Sequence, residues 1–331
     1  SLHARTPVDT VPHSALMSIA TIISAVRAML AILLVPASVI GGLAALLWAM
    51  NAGIDPEMAI FPITLANLVL VAVMERILPY RREWNRSHGD LRTDSLYFLT
   101  EIVVGGLMAP LLAVLTIIIG GWISTQVGGS IWPTGWPILA QVLLATVVRE
   151  FFDYWAHRSM HGIHWLWRLH ATHHSAQRVY WLNATRAHPG EIVYRFCVVW
   201  VLPLAVLGVP KEVLALTTMA AVLADAYQHA NIAIRLGPLS WVYSIGNLHR
   251  WHHSRDRHEA DTNYGNAYIF WDAIFGTRYL PHDREPPEQV GIAGLEAFPK
   301  GFFAQWISPF RWARIRSESK SVNQASPIVT K

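Results

Sequence analysis

Four long apolar stretches dominate the first half of the chain. They run from about Ala28 to Met50, Ala59 to Leu78, Leu96 to Trp122 and Trp136 to Phe152. A helix needs about twenty apolar residues to cross the hydrocarbon core of a bilayer. In lipid a backbone must satisfy its own hydrogen bonds, which leaves helices and closed barrels. Runs that are continuously apolar rather than alternating select helices. The composition agrees, with 15% charged residues and 53% hydrophobic ones in 331, where soluble domains carry about 25% charged residues. A further apolar pair, 192–208 and 211–227, is split by Gly208 and Pro210. It reads as a helical hairpin that dips into or crosses the membrane and returns to the same side. The expected fold is therefore all-α: an integral membrane helical bundle of about four transmembrane helices plus this hairpin.

Loop charges orient the bundle. Residues 79–95 contain Arg81, Arg82, Arg86 and Arg92, the loop 123–135 has no charge, and 51–58 carries only Asp55 and Glu57. The positive-inside rule places 79–95 in the cytoplasm, together with the end of the fourth span. Whatever follows Phe152 then forms a cytoplasmic cap. Residues 1–27 read as a polar N-terminal segment, 28–135 as transmembrane helices, 136–282 as a histidine-rich domain, and 283–331 as an interfacial segment (295–312) followed by a polar, basic, disordered tail. The single cysteine, Cys197, lies in an apolar run and reads as a buried small hydrophobe. A lone thiol cannot hold an Fe–S cluster. The net charge of +4 includes no basic stripe interleaved with aromatics, so nucleic acid is not an expected partner.

The cap is dense in histidine. HRSMHGIHWLWRLHATHH, residues 157–174, holds six of the sixteen in the chain. His157 and His161 are spaced i, i+4, one helical face. His170, His173 and His174 form HxxHH, and His249, His252 and His253 repeat it. Neutral imidazole suits first-row transition metals, and eight imidazoles exceed what one four-coordinate zinc takes. They fit two metal ions with open positions. His164 is in phase with the first box but falls outside the pattern. His258 and His282 read as surface residues, and His3, His13 and His88 as unrelated.

The stretch DYWAHRSMHGIHWLWRLHATHHS, then NLHRWHHSRDRHEADTNYGN and WDAIFGT, resembles the histidine-box pattern of the fatty acid hydroxylase / sterol desaturase superfamily. RAHPGE at 186–191 and YQHAN at 227–231 fall where that family has intermediate histidines. The resemblance covers roughly residues 150–280. It implies a membrane non-haem di-iron monooxygenase that uses O2 and two electrons to hydroxylate, or desaturate, a C–H bond of a lipid. It implies two iron ions held by the eight box histidines, with His229 and His188 as added ligands. Metal-bound imidazoles need partners at the other ring nitrogen; the candidates are Asp153, Asp225, Glu191, Asp256, Asp261 and Asn263. AHPGE resembles half of a cytochrome b5 haem motif, but the second glycine is absent and an apolar span follows at once. With no flavin, haem or Fe–S signature, a separate reductase, ferredoxin or cytochrome is the expected electron donor. The lipid, an acyl chain, sterol-like polycycle or carotenoid, is expected to enter from the bilayer. Tryptophans 155, 165, 167, 181, 241, 251 and 271 read as an interfacial belt or as walls of a substrate tunnel. Two alternatives stay open: a zinc-dependent lipid hydrolase, and a metal-binding or transport protein without catalysis.

Overall fold

In the structure, a computed structural model that describes residues 13–325, every regular element is a helix. Among the described residues there is no strand, only isolated bridges. Three helices are long and apolar enough to cross a membrane. These are α1 (His13–Asn51), α2 (Pro56–Ile77) and α3 (Leu91–Leu115), the last continued through Thr116–Gly120 to Val127. Their outward surfaces are apolar, with Trp48, Phe61, Leu107 and Ile117 all more than half exposed. An apolar patch of that extent is suited to lipid rather than water.

The fourth expected span is the first half of α4 (Ile138–Gly162). It is helical as expected, but its second half carries the buried Arg149, Glu150 and Asp153, and it is not among the three long apolar helices. The hairpin is present as α6 (Pro189–Arg195), extended by the wider π-turns of Phe196–Ala205, and α7 (Lys211–Asp225). Pro203, which has no N–H to donate, falls inside the wide-turn segment. At the turn of the hairpin, Gly208 meets Gly120 backbone to backbone. A Cβ on Gly120 would stand 2.9 Å from the Gly208 Cα.

Helices α1, α2 and α7 share the main apolar core, around Val35, Leu46, Val71, Met219 and Leu223. Polar pins register them: Tyr227 Oη reaches Ser38 Oγ at 2.6 Å and Asn67 Oδ1 at 3.1 Å, and Asn67 donates to the Leu223 carbonyl. Such bonds have no water to compete with inside the bundle, so leaving one partner unpaired costs about 1–3 kcal/mol.

Above this bundle sit the short helices of the cap: α5 (His164–His174), α8 (Asn247–His252), α9 (Arg257–Ala260), α10 (Phe270–Phe275), α11 (Phe302–Trp306) and α12 (Trp312–Ala325). The arginine-bearing loop between α2 and α3 lies on the cap side. There Asp90 takes a two-pronged bond from Arg178 at 2.7 and 2.8 Å, and Asp94 holds Arg186 and Tyr180.

Three expectations change. Cys197 is exposed on the outer face of its apolar segment, not buried. The C-terminal residues are helical as far as Ala325, because Trp312 and Ile315 pack against Phe298. Helix α1 already begins at His13, inside the expected polar segment. His3 lies outside the described residues.

Candidate metal centre

Helix α4 rises out of the bundle and delivers His157 and His161 to the cap, four residues and so about one turn apart. The α4–α5 junction at Ile163 turns the chain back. Helix α5 then brings His170, His173 and His174 over them. Helix α8 faces α5 and supplies His249, His252 and His253. It is locked from behind by Arg250, fully buried, whose guanidinium donates to the carbonyls of Ala230 and Ile232 at 2.9 and 2.8 Å and lies over the Tyr80 ring. The same 230–232 segment follows His229.

These residues form two adjoining sets. His157, His161, His170, His174 and His252 converge in one, and His173, His229, His249 and His253 in the other. In each set one nitrogen per residue lies within 4.8 Å of all the others. The sets touch where His170 stacks on His173 and His174 on His253, at centroid distances of 5.2 and 4.6 Å. All eight box histidines are thus brought together, and His229 with them. His188 is not. Its Nδ1 accepts from Gly190 N and its Nε2 donates to the Trp306 carbonyl, so it caps α6 away from both sets.

Each HxxHH box is divided between the sets. His170 and His174 enter the five-residue set and His173 the other; His249 and His253 enter the four-residue set and His252 the first. In both boxes i and i+4 stay together and i+3 crosses over. Helix geometry requires this: at about 100° per residue, i+4 lies about 40° to one side of i and i+3 about 60° to the other.

The donor set fits metal ions. Nε2 atoms of His157 and His170 are 3.0 Å apart, those of His253 and His249 3.0 Å, His253 and His229 3.1 Å, His229 and His173 3.2 Å. Two nitrogens bound at right angles to an ion about 2.1 Å away would be about 3.0 Å apart. Nε2 of His161, His174 and His252 is buried with no hydrogen-bond partner, an expensive state unless something else meets the lone pair. Burial holds the imidazoles of His157, His170, His174, His229, His249, His252 and His253 well below their usual pKa. It pushes His173 down to about 3. The rings are therefore neutral, which is the ligating form.

The outer nitrogens are fixed by acceptors. His157 Nδ1 donates to the Tyr264 carbonyl at 2.7 Å, His161 to Asp261 at 3.0 Å, His170 to Glu191 at 2.9 Å, His252 to the Thr262 carbonyl at 2.7 Å and His229 to Asn183 at 2.8 Å. Each such bond selects the tautomer whose Nε2 lone pair points inward. Burial alone would raise the Asp261 carboxyl; bonds from His161 and Arg257 outweigh it and hold it below the usual range.

Of the six candidate partners, Asp261 and Glu191 thus contact imidazoles. Asp153 instead takes Arg195 and Arg149, Asp225 takes Asn266, and Asp256 caps α9 through His258 N. Asn263, in the left-handed region at φ 52, ties Leu248 and Tyr279 together. It acts on the site indirectly, by shaping the turn that presents Tyr264. That turn is completed by Asp272, which accepts from Tyr264 N, Gly265 N and Thr277 Oγ1, all at 2.7 Å. The residues missed by sequence reasoning were Asn183 and the carbonyls of Thr262 and Tyr264. NYG and WDAIFGT were the available signal, since their shared work is to build the turn behind His157. His164 is exposed, as are His258, His282 and His88.

The chain is similar to several known proteins. The model of the fatty acid hydroxylase family matches residues 142–277. An ornithine lipid hydroxylase of Rhizobium tropici is 33% identical over 253 residues, which cover 74% of this chain and 74% of that protein. The alkylglycerol monooxygenase of Homo sapiens is 35% identical over 130 residues, 39% of this chain and 28% of its own length. A very-long-chain aldehyde decarbonylase of Oryza sativa is 30% identical over 143 residues, 42% of this chain and 53% of its own. No solved structure matches. With the histidine sets inside the matched region and the similarity to the Rhizobium enzyme extending over most of both proteins, the chain belongs to the fatty acid hydroxylase family.

Proposed function

We propose that this protein is a membrane lipid hydroxylase with two irons, one in each histidine set. The observation that carries the reading is the pair of adjoining, buried, all-imidazole sets. Imidazole also suits zinc, copper and nickel; iron is favoured because the similar proteins include a hydroxylase and a monooxygenase. The overall reaction takes a C–H bond, O2, two electrons and two protons to C–OH and water. When bound, the irons would supply the oxidising power for an unactivated C–H bond.

The chain's own residues have separate tasks. Tyr264, Asp261, Glu191, Thr262 and Asn183 hold the outer nitrogens and keep the inner lone pairs aimed. Burial keeps the rings neutral and excludes water. The electrons are assigned to a separate reductase, ferredoxin or cytochrome. The cap is assigned to the cytoplasm because it shares a side with the loop of Arg81, Arg82, Arg86 and Arg92.

A zinc hydrolase needs a carboxylate base facing the metal, and the two carboxylates that touch the sets are bound to outer nitrogens. A transporter holds its ligands near the bilayer midplane, whereas these histidines sit in the cap. The test is iron and zinc content per chain on protein purified in mild detergent, with lipid products traced by 18O2. Close to two irons per chain and one labelled oxygen in a lipid are expected. One zinc, or ester cleavage without O2 uptake, would sink the reading.

A further inference from the structure

A cavity of about 520 Å³ opens beside the five-histidine set. Its inner end is formed by His161 and His174, both buried, and its outer part by Arg255, Arg257 and Arg316, all exposed. Three guanidinium groups and the Asp261 carboxylate line it beside apolar residues such as Ile292, Leu295 and Trp312. Arg257 is already bound to Asp261 and Arg255 to Glu296. Arg316 has no carboxylate within ion-pair distance among the described residues. The wall residue Trp312 keeps a buried Nε1–H without an acceptor. Guanidinium groups with donors to spare suit a phosphate or a carboxylate.

A second observation says what carries that anion. Next to the cavity the surface turns apolar. Ile163 and Trp165, on either side of the cavity residue His164, are 53% and 46% exposed. Phe310, two residues before Trp312, is 76% exposed and meets the Trp165 ring at 5.8 Å. The strip continues through Ile307 and Phe303 on and after α11, both exposed. Helix α11 is anchored to the start of α3, with Phe302 against Tyr97 at 4.7 Å and Thr93 bonded to the Lys300 carbonyl. The exposed apolar strip thus runs from the cavity to the end of a helix long enough to span a membrane. A charged pocket joined to such a strip suits an amphiphile.

We propose that the cavity binds the anionic headgroup of the lipid substrate while its hydrocarbon chains lie along the strip of Ile163, Trp165, Phe310, Ile307 and Phe303. This rests on the hydroxylase reading for the word substrate only. The C–H bonds brought to the five-histidine set are then those nearest the polar end of the lipid, not those at the far end of a chain.

The test measures binding to the full chain in an uncharged detergent, with iron content recorded on the same samples. The probes are dihexanoyl phosphatidate, octanoate, uncharged dihexanoylglycerol and inorganic phosphate. At least one anionic amphiphile is expected to bind about tenfold or more tighter than dihexanoylglycerol and than inorganic phosphate. Arg255→Gln with Arg316→Gln, both on the surface, should erase that preference. Phe310→Ser should weaken the amphiphile and leave inorganic phosphate unchanged. Inorganic phosphate bound as tightly as phosphatidate would make this a site for a soluble anion and overturn the proposal. Binding indifferent to probe charge, or unmoved by the arginine variants, would also overturn it. Protein without iron that still shows arginine-dependent phosphatidate binding would break the hydroxylase reading and keep the headgroup site. Two irons per chain with charge-blind binding would do the reverse.

Discussion

The five-histidine and four-histidine sets share helices α5 and α8 and differ in how they are backed. In the first, four of five rings have an acceptor behind them, two of them carboxylates. In the second, Asn183 backs His229, while Nδ1 of His249 and His253 is buried without a partner. The cavity of about 520 Å³ reaches the first set, through His161 and His174. The difference teaches that two sites of equal donor chemistry need not be equal in access or in basicity. Carboxylate backing raises the basicity of an imidazole more than an amide does.

The largest effect expected is loss of a ligand. His253→Ala leaves three donors in its set and should lower iron from about two per chain to about one, with turnover abolished and membrane insertion intact. His161→Ala leaves four donors and should retain more metal, yet also abolish turnover. Equal metal loss in both would break the contrast. Next come the outer partners. Asn183→Leu and Asp261→Asn should each weaken iron binding by about 10–100-fold, read by competition with a chelator. Asn183→Leu should be the worse of the two, because its set has fewer other supports. Chelation of wild type over time should be biphasic, with the fast phase leaving through the cavity at His161 and His174. His253→Ala should delete the slow phase; deletion of the fast phase would reverse the accessibility argument. The smallest effect is expected for His188→Ala: unchanged iron and a stability loss of about 1 kcal/mol, the ordinary cost of a helix cap, measured by thermal unfolding.

Much of the site was legible. Spacings of three and four residues put the box histidines on helical faces, and helices α4, α5 and α8 carry them so. The division of each box between two sets follows from the same periodicity. It needs, however, the knowledge that a second set lies on the other side, which no local pattern carries. Asp153, one turn before His157, seemed placed to back it. Two arginines, Arg149 and Arg195, take both its oxygens instead, since a charged donor binds a carboxylate more strongly than a neutral ring N–H. Asn183 backs His229 from forty-six residues away, and backbone carbonyls back His157 and His252. Contacts of that kind leave no trace in residue type. For the bundle, hydropathy located three membrane-length helices and the hairpin. The fourth expected span coincides with the first part of α4, whose buried ionic residues have partners on other elements that are invisible in one segment.

The crossing of the HxxHH boxes also sets a ruler. Helix α5 and helix α8 each hold donors to both sets on one rigid cylinder. The gap between the two centres is therefore fixed by the angular step of the backbone, not by loops that evolution can lengthen. Turning either helix about its axis would advance a ring into one set and withdraw a ring from the other. Substrate loops can vary around such a pair while the pair itself keeps its gauge.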